Sequence, residues 1–196
     1  MKTFRKFIIA VVVSTGLFTG VYGTPYVKVT SYDAKKFFVI VKSTDASRIN
    51  VSLKDSYDFE LYKESYKNKN NYVKGFDLEP LPDGQYFLEI ESNETIEKFS
   101  LSIRNNWLSI DQESRLVMHK PRVTQKGNNM DVALLNTDST LKLSILDKAN
   151  EVIFQEIVAD NGNLSRRYDI SQLDPGYYTV LIEVAGRNFR ERIHIK

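Results

Sequence analysis

The chain is 196 residues long, with 42% hydrophobic and 27% charged residues. That balance suits one or two globular domains and argues against a disordered chain, a coiled coil or a polytopic membrane protein. It has no cysteine and only two histidines, His119 and His194, which excludes disulfides, thiol nucleophiles, cysteine metal sites and multi-histidine metal sites.

Residues 1–23 read as a secretory signal peptide. Lys2, Arg5 and Lys6 form the charged start, Phe7 to Phe18 the apolar run, and Val21-Tyr22-Gly23 the cleavage stretch before Thr24. The run is about a dozen residues, short of the roughly 20 needed to span a bilayer, so no transmembrane span is expected after cleavage. Cleavage removes three of the 27 basic residues, leaving 24 against 25 acidic ones. Bulk charge then gives no case for nucleic-acid binding. The mature chain is expected in the periplasm, on the cell surface or outside the cell.

Past the leader, strict alternation of apolar and polar residues dominates, the mark of a half-buried strand. It runs through Ile49-Asn50-Val51-Ser52-Leu53, then through Tyr86–Ile90. Turn signals punctuate these runs: Thr44-Asp45, Lys54-Asp55-Ser56, Asn68–Asn71, Pro82-Asp83-Gly84 and Ser92-Asn93-Glu94. The stretch 105–115, opening with Asn105-Asn106, reads as a linker between a first domain at 24–104 and a second at 116–196. In the second domain the alternation returns in Leu141–Ile145, Tyr178–Val184 and Arg190–Ile195. Its turns are Thr137-Asp138, Asp147–Asn150, Asp160–Asn163, Asp174-Pro175-Gly176 and Ala185-Gly186. The fold class is all-β, with about seven short strands per domain, the pattern of a small antiparallel sandwich.

The two domains repeat one another. Sliding the chain by 92 residues lays Ile49–Ile103 on Leu141–Ile195 without a gap, with 11 identities in 55 pairs. Among them are Ser52/Ser144, Asp55/Asp147, Glu64/Glu156 and Asp77/Asp169. Leu81, Gly84 and Tyr86 match Leu173, Gly176 and Tyr178 in the shared form Leu-x-x-Gly-x-Tyr. In immunoglobulin-like sandwiches a tyrosine at this corner returns its hydroxyl to upstream backbone, and glycine allows a positive φ in the tight turn. Tyr86 and Tyr178 are therefore expected to be structural latches.

The second domain resembles the immunoglobulin-like C-terminal sorting domains of proteins exported by the Bacteroidetes type IX system. The resemblance lies in Leu141–Asp147 with Glu151-Val152, in Leu173–Tyr178 and in the terminal Arg192–Lys196. It covers about 80 residues, and its motifs are moderately specific. It implies an exported protein of tandem immunoglobulin-like sandwiches, in which the second domain is alternatively a secretion address. The usual Pro-Asn-Pro near the domain start has Lys120-Pro121-Arg122 as its nearest match here.

No catalytic, cofactor or metal site is expected. His194 alternates with Ile193 and Ile195 and points outward; nothing marks it or His119 as a base. Glu89 and Glu91 share a solvated strand face rather than a cleft. Asp55, Asp58 and Asp174 sit at turns without the spacing of a calcium loop. Binding is the function class left. The candidate surfaces are Tyr57, Tyr66 and Tyr72 among lysines, Trp107 as an inter-domain packing residue or ligand platform, and Arg190 with Arg192 on one strand face. A protein or glycan partner at the cell envelope is expected.

Overall fold

A computed structural model describes residues 9–12, 26–42, 48–67, 71–137, 139–159 and 162–196. Lys2, Arg5, Lys6, Val21-Tyr22-Gly23 and Thr24 of the expected leader lie outside these residues, as do the turn signals at 44–45, 68–70, 138 and 160–161. The described residues form antiparallel strands without a helix, so no helix among them is long and apolar enough to cross a membrane. The chain divides into two compact units, Gly20–Met118 and His119–Lys196, with the N-terminal stretch Met1–Thr19 assigned to the latter.

Strand β1 (Val11–Val12) belongs to that latter unit. The first unit begins with β2 (Tyr26–Asp33), β3 (Lys36–Lys42), β4 (Ile49–Asp55) and β5 (Glu60–Tyr66). It continues with β6 (Asn71–Asp77), β7 (Gly84–Glu91), β8 (Thr95–Arg104) and β9 (Trp107–His119). One sheet has the order β2-β3-β6, the other β5-β4-β7-β8-β9. Alternation decides the core. Phe37, Val39 and Val41 of β3 are fully buried, as are Ile49 and Val51 of β4, while Lys36, Phe38 and Ile40 face away. Each such buried side chain contributes about 1.5–3 kcal/mol. Lys35, in the β2–β3 turn, is buried too; its ammonium donates to the carbonyl of Leu81 at 2.8 Å.

The second unit contains β10 (Arg122–Lys126), β11 (Asn129–Thr137), β12 (Leu141–Leu146), β13 (Val152–Val158), β14 (Gly162–Asp169), β15 (Gly176–Val184) and β16 (Arg187–Ile195). Its sheets have the orders β1-β14-β11-β10 and β13-β12-β15-β16. The repeat seen in the sequence is a repeat of register. Val51 faces Glu64 and Ile90, as Leu143 faces Glu156 and Ile182. A register shift falls at Leu53/Lys54 in one unit and at Ile145/Leu146 in the other. Each unit thus pairs two antiparallel sheets, three- and five-stranded in the first unit and both four-stranded in the second, the arrangement of immunoglobulin-like and fibronectin-type sandwiches.

One expectation meets a different structure. Residues 105–115 are not an open linker. Asn105 and Asn106 both take positive φ, 50° and 65°, which suits the tight hairpin that returns the chain into β9. Asp83 accepts from both of their N–H groups, at 2.6 and 3.3 Å. Strand β9 then joins β8, and the Leu108 N–H donates to the Ala34 carbonyl at 2.6 Å. Part of the stretch expected as a leader is described with the second unit. Val11 and Val12 pair with Tyr168 and Arg167, the Asp169 N–H donates to the Ala10 carbonyl at 3.0 Å, and Ile9 is buried.

Candidate functional site

The hairpins β4–β5 and β12–β13 carry the same turn. Asp55 accepts the N–H groups of Tyr57 and Phe59 on one carboxylate oxygen, both at 2.9 Å. Asp147 accepts those of Ala149 and Glu151 at 2.8 and 2.9 Å. Asp58 and Asn150 follow in the left-handed region, with φ of 65° and 61°. Short polar side chains tolerate that conformation, and the aspartate fixes the loop by bonding its own backbone. The display differs. The first turn presents Tyr57, 90% exposed, and Phe59, 66% exposed. The second presents Ala149 and Glu151 at the same places. Phe59 is absent from the sequence-based candidates, because strand alternation around it reads as ordinary turn chemistry.

The remaining tyrosines do not extend that surface. Tyr72 is 3% exposed, which corrects its assignment to a binding face. The reason is register: β6 pairs with β3 so that Tyr72 lies opposite Val41, in the inward set. Its ring packs on half-buried Tyr66 at 4.3 Å between centroids. Lys74, also on that side of β6, donates to the Tyr62 hydroxyl and the Glu64 carboxylate, and to the Tyr66 hydroxyl at 3.2 Å. Its ammonium lies 4.9 Å from the Tyr62 ring centroid. The cation is thus enclosed by the chain's own aromatic groups. Hydrogen bonds from Lys74, then Tyr62, hold the Glu64 carboxyl down to about 2. Burial, with the Glu64 hydrogen bond, pushes the Tyr62 hydroxyl up to about 12. The Glu64 bond likewise raises the Lys74 ammonium. In the second unit Tyr168 donates to Glu156 at 2.8 Å.

The two corner tyrosines reach back as latches. Tyr86 donates to the Pro82 carbonyl at 2.8 Å and Tyr178 to the Asp174 carbonyl at 2.9 Å. Leu173 is buried and Leu81 half-buried beneath these turns. Gly176 has φ 151°, but Gly84 does not take a positive φ, and a Cβ there would sit 3.6 Å from the Tyr86 ring. The expected conformational need for glycine therefore holds at one corner only. Trp107, at the start of β9, is 67% exposed.

Arg190 and Arg192 lie on the outward face of β16, opposite Leu181 and Thr179. The Arg192 guanidinium sits 4.0 Å over the Tyr177 ring. The His194 ring stacks on the same tyrosine at 4.4 Å and 28°. Gln125 of β10 fixes this corner: its side-chain amide donates to the His194 carbonyl at 2.8 Å and accepts from the His194 N–H at 3.2 Å. A cleft of about 400 Å³ lies beside it, lined by Gln125, Gly127, Asn128, His194, Ile195 and Lys196.

No family model matches the chain, and no curated protein does. Solved structures similar to it include a biofilm-associated protein (BSP domain), at 12% identity over 88% of this chain and 29% of that chain, TM-score 0.30. A two-domain fibronectin type-III segment of chicken tenascin has 9% identity over 87% of this chain and 98% of that one, TM-score 0.28. The FN1–FN3 domains of chicken CNTN1 have 10% identity over 89% and 66%, TM-score 0.30. The chain spans less than a third of the biofilm-associated chain.

Chemically, the described residues offer display rather than enclosure. No group of three or more His, Asp or Glu among them is placed to hold a metal ion. What stands out is the hairpin tip of the first unit and the aromatic–arginine face of the second.

Proposed function

We propose that this is an exported, non-catalytic binding module of two immunoglobulin-like sandwiches, acting at the cell envelope after removal of residues 1–23. One observation carries the reading: Tyr57 and Phe59 stand exposed on a turn whose backbone Asp55 fixes. Exposed aromatics on a preset backbone lose little conformational entropy on contact, the property of a good binding anchor. The equivalent turn of the second unit has the same hydrogen bonds without the aromatics, so the fold does not require them. Trp107 adds a second exposed ring in the first unit. The His194 ring lies flat on Tyr177 on an open sheet face, an arrangement for contact rather than proton relay.

The test is adhesion of the purified mature chain, residues 24–196, to isolated envelopes of its source cells. Tyr57→Ala/Phe59→Ala is expected to weaken it at least tenfold with an unchanged melting temperature. Equal adhesion of wild type and variant, or none by wild type, overturns the proposal.

A second reading makes the last unit a secretion address. Its support is that His119–Lys196 has its own buried core, including Leu141, Leu143, Val180 and Ile182, as a detachable signal needs. An intact mass of the exported protein lacking about 80 C-terminal residues, near the size of a small domain, would establish it. A mass running from Thr24 to Lys196 excludes it.

A further inference from the structure

The outward face of β15–β16 is chemically unlike its counterpart in the first unit. Gln85 and Ser102 stand where Tyr177 and His194 stand, and they close on each other through a 3.1 Å hydrogen bond. Ser100 takes the place of Arg192, and Lys98 that of Arg190, lying 3.9 Å over the Phe87 ring. The first unit thus satisfies this corner internally. The second opens it: Tyr177 is 53% exposed, and Arg190, Arg192 and His194 are all exposed.

Neither arginine makes an ion pair with a described residue. Glu183, the one carboxylate on the outward side of β15, is bound to Lys142 at 2.7 Å. Alternate residues of a strand share a face about 7 Å apart, so Arg190 and Arg192 present two guanidinium forks side by side. Tyr177 supports the second fork and leaves its in-plane N–H groups for a carboxylate. The flat Tyr177–His194 stack adjoins it, held by Gln125, and the cleft beyond is lined by Asn128 and Lys196.

We propose that this face binds an acidic polysaccharide, with a sugar ring lying on the Tyr177–His194 stack and uronate carboxylates bridging Arg190 and Arg192. Two guanidinium groups beside an aromatic plate match a ligand that carries both carboxylates and sugar rings. This deepens the binding function by naming a ligand class, but uses residues of the other unit.

The experiment measures retention of mature protein by polygalacturonate, by neutral dextran and by poly-glutamate. Retention by polygalacturonate only is expected, falling at least tenfold between 50 and 500 mM salt. Arg190→Gln/Arg192→Gln is expected to abolish it, and Arg190→Lys/Arg192→Lys to lose most of it despite equal charge. Tyr177→Leu is expected to weaken it as well, with folding checked by melting temperature. Equal retention by poly-glutamate would mean an acidic protein surface and overturns the glycan assignment. Retention by dextran, indifference to the arginine substitutions, or no retention by polygalacturonate overturns it too. Tyr57→Ala/Phe59→Ala should bind polygalacturonate normally, so failure of envelope adhesion and failure of this site are read separately.

Discussion

Asp55 and Asp147, 92 positions apart, hold the same turn: each carboxylate accepts two backbone N–H groups from the residues two and four places on. The shared aspartate accounts for why one turn tolerates Tyr57 and Phe59 while its twin shows Ala149 and Glu151. The backbone is set before the displayed side chains are chosen. Replacing either aspartate by alanine is expected to destabilise its unit by about 1 kcal/mol, the usual net worth of such hydrogen bonds at a partly exposed site. Amide exchange at residues 57–59 or 149–151 checks it, each variant affecting its own turn alone. Asp55→Ala should also weaken envelope adhesion with Tyr57 and Phe59 intact.

The corner tyrosines give a paired prediction. Tyr86→Phe and Tyr178→Phe each remove one hydroxyl and leave one carbonyl, of Pro82 or Asp174, to water or to nothing. A loss of about 1 kcal/mol is expected from each. The variants should lower amide protection in β7 and β15 respectively, because each latch closes within its own unit. Protection unchanged in the strand that follows would mean that the latch adds nothing.

How far the sequence revealed these features depends on whether they are local. The latches are legible because glycine and tyrosine lie two residues apart in Leu-x-x-Gly-x-Tyr. The strands are legible because alternation is itself local. Tyr72 misleads because its neighbours mislead. In Asn71-Tyr72-Val73-Lys74 the outward residue is Val73, 65% exposed, and the inward set contains a lysine. Only Glu64, Tyr62 and Tyr66 on another strand make an inward Lys74 acceptable, and strand pairing is not written in period two. The Tyr177–His194 stack escapes for the same reason: it joins residues 17 positions apart through the register of β15 on β16. Asn105-Asn106 reads equally as loop or as hairpin turn until Asp83 is brought beneath it.

The Lys74 cluster sets a pH window. The Glu64 carboxyl lies near 2 in the folded chain against an ordinary 4.5, so its contribution is present above about 4.5 and is lost as pH falls through 2. Lys74 is raised above 10.5, so its contribution is present below that value and is lost as pH rises through its folded pKa. Tyr62, ordinarily 10.0 and here about 12, adds to the same alkaline loss. Lys74→Met should therefore flatten the acid flank of the first unit's stability profile and remove the Lys74 share of the alkaline loss, while the Tyr62 share stays. Thermal midpoints at pH 3, 7 and 11 test this; equal pH dependence in variant and wild type would contradict it.

Glu97 behaves in the opposite sense to Glu64. Its side chain is 2% exposed, and burial raises its carboxyl pKa despite Arg115 at 2.8 Å. A raised carboxyl pKa contributes stability that is complete below the ordinary 4.5 and is lost as pH rises through the folded value. The charged form is thus less favourable in the fold than in the unfolded chain, and it is held by one partly exposed partner. Glu97→Gln keeps an acceptor for the Arg115 N–H and removes the charge. Its melting temperature relative to wild type is expected to improve from pH 4 to pH 7. A difference that stays constant with pH would show that Glu97 is neutralised by Arg115 as fully as it would be by water.

The Asp131–Arg167 pair yields an ordering rather than a shift. Arg167 holds both carboxylate oxygens of Asp131, at 2.6 and 3.0 Å, and the aspartate side chain is 7% exposed against 44% for the arginine. Removing the arginine strands a carboxylate away from water, whereas removing the aspartate leaves a guanidinium that solvent already reaches. Arg167→Ala is therefore expected to destabilise the second unit more than Asp131→Ala does. Arg167→Ala with Asp131→Asn should recover part of that loss, because the stranded charge is gone. Urea denaturation of the three variants decides the matter. If the two single substitutions prove equal, Asp131 is reached by water in solution and the pair acts as an ordinary surface contact.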